Sequence, residues 1–418
     1  MRGVLVILEG IADRPISVLD HKTPLQYAYK RNLNSISNRG INGMLYPLGA
    51  GICPGEAVSM FATLGYDPEK DYPGLSPIIN AGMGTKLNPG DVALRGTFAT
   101  VDSEKRVVDV SAGGLEEGGK ILALSIDGME ISGVKVKVTS FDKVTNTSKR
   151  IGTSDCGVVL RGKGLSNRIE TTEILENGVK VPYFRPVNGS EGAKTTAEVL
   201  NQFMENSMEV LKNSEINAKR IARKRRPANA ILLRDPSIIP VLPTFDEKYK
   251  VKGKCIAGDH LVKGIARLIG MDVIEVEGAT GTKYTNLIAK VEGVIEALTN
   301  NCLAILHIKM PDLYSMEKDP KGKVDAIERI DTALGYLIEE TDEDTAFCVT
   351  SNYTRSTLTG RRTGDGVPIT IVSPGIRNDE VKEFDEFSWV NGHIGRINGK
   401  SLIPYLLNVM DCPIEMKD

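Results

Sequence analysis

The stretch RGVLVILEGIADRP, Arg2–Pro15, decides how the rest of the chain is read. Five apolar residues in succession, Val4 to Leu8, show no polar–apolar alternation, and the run is too short for a helix. A strand that is apolar at every position is buried on both faces, as in a parallel sheet covered by helices. The run closes on Glu9-Gly10, so a carboxylate stands at the carboxyl end of the strand, where open sheets of this kind hold their ligands.

Similar runs recur at Ala228–Leu233, Asp272–Val276, Leu303–Ile308, Ala346–Thr350 and Ile369–Val372, with helical patterns between them. In VDAIERIDTALGYLIEE, Val324, Ile327, Ile330, Leu334, Leu337 and Ile338 share one face at the 3.6-residue period. The fold class is therefore α/β with a mainly parallel sheet. From about Gly96 to Val187 the strands become short and alternating (VKVKVTSFD, GVVLRG) with glycine-rich breaks, which predicts an inserted smaller α+β domain. The expected organisation is a discontinuous core, 1–95 and 213–418, an insertion over 96–187, and a returning helix or linker over 188–212. The helix Thr195–Leu211 carries Val199, Phe203, Met204, Met208 and Leu211 on one stripe and is expected to lead back to the core.

In 418 residues, 52 basic and 54 acidic side chains leave a net charge of −2, which gives no electrostatic reason for a nucleic-acid or membrane partner. The basic run Lys219–Arg226 has no interleaved aromatics and reads as a solvated segment. Six cysteines form no CxxC pair, and Cys255 and Cys302 lie in apolar runs, which predicts buried free thiols in a reducing compartment. No apolar stretch reaches membrane-spanning length, so a cytoplasmic protein is expected.

Several segments then carry a resemblance: HKTPLQYA (21–28), RGINGMLYPLG (39–49), LGYDPEKDYPG (64–74), LNPGDVALRGTFATVD (87–102), PANAILLR (227–234), KGIARLIGMDVIEVEGATGT (263–282), GKVDAIERID (322–331), and DEVKEFDEFS with GRINGKSLIPYLL (379–388 and 395–407). In this order the chain resembles the archaeal-type 2,3-bisphosphoglycerate-independent phosphoglycerate mutases of the alkaline phosphatase superfamily. The resemblance implies an alkaline-phosphatase-like core built from both ends of the chain, with an inserted domain. It also implies the family reaction of glycolysis and gluconeogenesis, 3-phosphoglycerate to 2-phosphoglycerate. A serine takes the phosphoryl group and returns it, beside two divalent metals (Mn, Mg or Zn). A hydroxyl needs a metal or base to become a nucleophile, and two cations about 3.5–4 Å apart clamp the migrating charge.

Each family position can be read in this chain. The strand that ends in Asp-Gly in the family ends in Glu9-Gly10 here. The Gly-Ser-Asp-Thr-Ala-His turn becomes Gly55-Glu56-Ala57-Val58-Ser59-Met60, which puts Glu56 at the nucleophile position. HIKMPDLYSM keeps His307, Lys309 and the ligand Asp312, but Met316 stands where a histidine ligand is implied. Asn352 and Tyr353 occupy the places of the Asp-His pair, and Arg362 the place of a further histidine. Glu9, Glu56 and Asp312 can still touch a cation, whereas a thioether binds hard ions poorly and a guanidinium has no lone pair to give. On the substrate side Lys263 falls where the family carries a lysine directed at the phosphoryl site, although a lone lysine on a helix commonly reads as an exposed charge. Lys309 is a second candidate substrate contact, but the arginines implied near Gly74–Pro77 and Ser111–Gly114 are absent.

These substitutions predict a divergent relative with a degenerate active site, a pseudoenzyme or repurposed ligand-binding protein with no metal cofactor. Arg362, with Lys309, is expected to replace the metals' charge against Glu9, Glu56 and Asp312, since converging carboxylates without a cation repel. One alternative is an active mutase or phosphoryl-transfer enzyme with a single metal on Glu9, Glu56 and Asp312, or with Glu56 forming an acyl phosphate. A further alternative is a regulatory or scaffold subunit with a protein partner, and a phosphorylated small molecule is the expected ligand. His307, at a buried strand end, reads as a satisfied core histidine. Gly278–Asn286 lacks the Gly-Lys-Ser/Thr ending of a phosphate loop and reads as a turn.

Overall fold

The computed structural model describes residues 2–415 except 116–117, 141–153, 171–173, 175, 300–301 and 342. The apolar run at the start forms the strand Arg2–Leu8, with Val4 to Leu8 fully buried. It lies at the middle of an eight-stranded sheet in the order Asp272–Val273, Lys252–Ile256, Cys302–Ile308, Arg2–Leu8, Thr345–Thr350, Val367–Val372, Ile41–Tyr46 and Gly395–Asn398. The first five strands are mutually parallel, Val367–Val372 runs antiparallel to both neighbours, and Gly395–Asn398 is parallel to Ile41–Tyr46.

Helix Pro320–Glu339 covers this sheet with the face read from the sequence. Ile327, Ile330, Leu334 and Leu337 are buried in one cluster with Val4, Val6 and Leu8, while Val324 and Ile338 pack at its margin. Residues Gly278–Asn286 turn into helix Leu287–Ala297, whose N-cap Asn286 accepts from Ala289 N at 3.0 Å. No described helix is long and apolar enough to cross a membrane. All six cysteines are free, four of them buried, including Cys255 and Cys302.

The chain divides into two compact units, Met1–Tyr72 with Pro243–Asp418, and Pro73–Leu242. The second is wider than the insertion expected over 96–187, and its sheet explains why. The long strand Val92–Val101 pairs antiparallel with Asp155–Arg161 on one side and with Ala230–Ile238 on the other. The run Ala228–Leu233, expected in the parallel sheet, is thus part of this antiparallel one; all of it but the half-buried Asn229 is buried, so its apolar pattern does not tell one sheet from the other. Helix Glu191–Lys212 also belongs here, with Val199, Phe203, Met204 and Leu211 buried against Val92, Phe98 and Ile231. It closes the second unit's core instead of returning the chain to the first.

Candidate active site

The central cluster is assembled by strand ends. Registers Leu8 to Ile308 and Ile7 to Thr350 bring Glu9, Lys309 and Ser351–Tyr353 out side by side at the carboxyl edge of the parallel strands. Lys252–Ile256 flanks Cys302–Ile308 and leads to Asp259, the N-cap of helix His260–Leu268, whose side chain accepts from Leu261 N at 2.7 Å. The Pro54-Gly55 corner starts helix Glu56–Thr63, so Glu56 is its first residue. Gly10 takes a left-handed φ of 64°, and a Cβ there would come within 2.7 Å of Asp312 Oδ1, so only glycine lets helix Met310–Met316 approach this closely.

Lys309 stands at the centre of these groups, 2 % exposed. Its Nζ lies 2.8 Å from Glu9 Oε1, 2.5 Å from Glu56 Oε1 and 3.0 Å from Asp259 Oδ2. Glu9 accepts two further hydrogen bonds, from His307 Nε2 and from the Tyr353 hydroxyl, both at 2.6 Å. Beside this group Arg355 pairs with Asp312 and donates to Gly360 O at 2.8 Å. Arg362 Nη1 reaches Glu56 Oε2 at 3.6 Å, and the guanidinium groups of Arg355 and Arg362 lie 5.6 and 5.3 Å from the Tyr353 ring centroid.

The charges follow from this geometry. Burial alone would raise the Glu9 carboxyl, but Lys309 and the hydrogen bond from His307 outweigh it and hold Glu9 well below the usual carboxylate range. Asp259 is likewise held low by Lys309 against its burial. Burial would neutralise Lys309, but Asp259, Glu56 and Glu9 keep it firmly charged. Burial raises Asp312, as does repulsion from Glu9. Four carboxyl groups (Glu9, Glu56, Asp259, Asp312) face three cations (Lys309, Arg355, Arg362). The surplus falls on Glu56, which burial pushes up to about 7, with repulsion from the other three carboxylates adding to it.

This arrangement changes several sequence-based assignments. Arg362 does touch Glu56, but the ion at the centre is Lys309, and Asp312 is matched by Arg355. Tyr353 is a hydrogen-bond donor to Glu9, and burial holds its phenol protonated. Asn352 is fully buried with neither amide atom hydrogen-bonded among the described residues, and Asp312 Oδ2 is in the same state. Met316 ends its helix half-buried and contributes no hydrogen bond to the cluster. Lys263, buried rather than exposed, is drawn to Glu275 at 2.5 Å, which also takes Arg267 at 3.0 Å. His307 is buried as expected and bonded through Nε2 to Glu9, but it is not fully satisfied, because its buried Nδ1 has no hydrogen-bond partner among the described residues. Ser59 donates to Glu56 O at 3.0 Å and so faces its own helix.

Sequence reasoning missed Asp259 and Arg355. The first had a signal, a helix-capping aspartate just past the buried run in GKCIAGD, at the same sheet edge as Glu9. The second had none, because Arg355 follows a strand end in a segment whose direction only the fold sets. Among the described residues no group of three or more His, Cys, Asp and Glu side chains is arranged to hold a metal ion.

Comparisons with known proteins match this fold along nearly the whole chain. The model of the Metalloenzyme superfamily matches residues 1–408. The chain is 38 % identical over 416 residues to 2,3-bisphosphoglycerate-independent phosphoglycerate mutase 1 of Archaeoglobus fulgidus, covering 98 % of each chain. It is 37 % identical over 408 residues to the corresponding mutase 1 of Methanocaldococcus jannaschii, covering 97 % of this chain and 96 % of that one. Among solved structures, the cofactor-independent phosphoglycerate mutase of Thermoplasma acidophilum superposes with a TM-score of 0.76 at 30 % identity, covering 98 % of this chain and 99 % of that one. A Pyrococcus horikoshii protein superposes with a TM-score of 0.81 at 27 % identity, covering 100 % and 99 %. With relatives this similar along nearly its whole length, the chain belongs to the archaeal-type 2,3-bisphosphoglycerate-independent phosphoglycerate mutase family, within the Metalloenzyme superfamily.

Proposed function

We propose that this chain is a phosphoglycerate mutase homologue that does not run the two-metal, serine-nucleophile reaction, and that Lys309 holds its centre together in place of divalent ions. The observation that supports this reading is the position of Lys309 Nζ within 3.0 Å of Glu9, Glu56 and Asp259. A divalent ion taking those carboxylates would have to displace a buried ammonium that they keep charged. Elsewhere the donors are few. Among the described residues beside Glu9, Asp312 Oδ2, Asn352 Oδ1 and His307 Nδ1 are without a hydrogen-bond partner, while Met316 is a soft thioether, Tyr353 stays protonated and Arg362 has no lone pair. This set does not fit a pair of hard divalent ions, and no catalytic step is derived through them.

The nucleophile position points the same way. Glu56, with its carboxyl pushed up to about 7 and bonded to Lys309, is a poor nucleophile, and the Ser59 hydroxyl is turned to a backbone carbonyl. A phosphorylated small acid would meet Arg362, the cluster's partly exposed cation, since Lys309 and Lys263 are buried. The test is purified protein with 3-phosphoglycerate and Mn²⁺, with 2-phosphoglycerate read through enolase and metal content measured alongside. The expected result is no turnover above background and a metal content well below one ion per chain. Turnover abolished by Glu56→Gln would overturn the proposal and make Glu56 the phosphoryl acceptor.

A further inference from the structure

The basic run Lys219–Arg226 takes a defined shape in the second unit. Helix Glu215–Ala222 ends in a Schellman turn, in which Lys224 N donates to Ile221 O at 2.9 Å and Arg225 N to Arg220 O at 2.8 Å. Lys224 sits at the left-handed position with φ 56°, where glycine is the unstrained choice, so the turn carries a charge at a conformational cost. Cations complement the dipole at a helix C-terminus, which accounts for Lys219 and Arg220 but not for Arg223 and Arg225, which follow the helix.

These four side chains wall a cavity of about 460 Å³, and Ile121 and Ile216 supply its apolar surface. No carboxylate is among its described lining residues. Ile121 is 57 % exposed, and Arg220 is fixed by donating to the carbonyls of Arg226, Ala112 and Gly114. The volume lies in the range of small-molecule sites, and guanidinium forks match phosphate oxygens in pairs. A nucleic-acid strand would need aromatic side chains to stack its bases, and the cavity has none. We propose that this cavity binds a phosphorylated small molecule with an apolar body, of the nucleoside di- or triphosphate class, through Lys219 and Arg223 against Ile121 and Ile216.

Calorimetric titration of the full chain with ATP, without divalent cations, tests this. Submillimolar affinity is expected, falling at least about tenfold between about 50 and about 200 mM salt. The double variant Lys219→Ala/Arg223→Ala, both exposed positions, should bind at least about tenfold more weakly with an unchanged circular dichroism spectrum. Inorganic pyrophosphate should bind more weakly than ATP, and Ile121→Glu should narrow that gap. No heat of binding, an unaffected double variant, or pyrophosphate or an acidic peptide binding as tightly as ATP would each overturn the proposal.

Discussion

Lys309 Nζ and Glu56 Oε1 stand 2.5 Å apart, which ties the end of a central strand to the first residue of helix Glu56–Thr63. The same ammonium holds Glu9 and Asp259, so three segments distant in sequence meet on one buried charge. A charge in this position determines both what the centre can bind and how stable it is.

Lys309→Met leaves Glu9 and Asp259 buried and facing each other without their cation. Breaking a buried ion pair from one side costs about 3–5 kcal/mol, which urea unfolding of the variant should show. In that variant millimolar Mn²⁺ should raise the melting temperature more than it does in the unaltered protein, because the carboxylates are then free to take an ion.

Glu9 and Glu56 should respond differently to loss of charge. Glu9 is held ionised by three donors, so Glu9→Gln is expected to cost about 3–5 kcal/mol. Glu56 bears the surplus negative charge, so Glu56→Gln should stay within about 1 kcal/mol of the unaltered protein. Equal losses in denaturant unfolding would contradict the distribution of charge described above.

Arg355→Met strands Asp312, which is fully buried, and is expected to destabilise by about 3–5 kcal/mol. Adding Asp312→Asn should recover part of that loss, so the double-mutant cycle should show clear coupling. Additive losses would mean that the pair does not interact.

Away from this cluster, burial raises the Glu386 carboxyl from 4.5 to about 7, although it accepts from Asp13 N at 2.9 Å and from the Thr23 hydroxyl at 2.7 Å. Between these values the folded state binds the proton more tightly than the unfolded state. Stability from this group is therefore complete below about pH 4.5, falls as pH rises to about 7, and is level above that. Glu386→Gln should remove this slope, so the stability difference between variant and unaltered protein should change by about 1–3 kcal/mol across the window. A pH-independent difference would show that Glu386 titrates normally.

Much of this was legible along the chain. The unbroken apolar run Val4–Leu8 gave the parallel sheet, and the spacing of Ile327, Ile330, Leu334 and Leu337 gave the helix that covers it. Glu9 and Lys309 could be placed at one edge because both end such runs. The resemblance placed Glu56 and Asp312 beside them.

Burial patterns report how deeply a segment is covered but not by what. Ala228–Leu233 reads like a core strand of the parallel sheet, yet it pairs with Val92–Val101, because strand partners are chosen by contacts between segments far apart in sequence. The choice of cation was set in the same way. Arg355 took Asp312, Arg362 reached Glu56 alone and Lys309 took the centre, as the direction of each side chain was decided by the packed strand ends around it. The sequence by itself determined that acids and bases would gather at this edge; the tertiary structure decided which would share a charge, since Coulomb energy inside a protein depends on separations of a few ångströms that no spacing along the chain encodes.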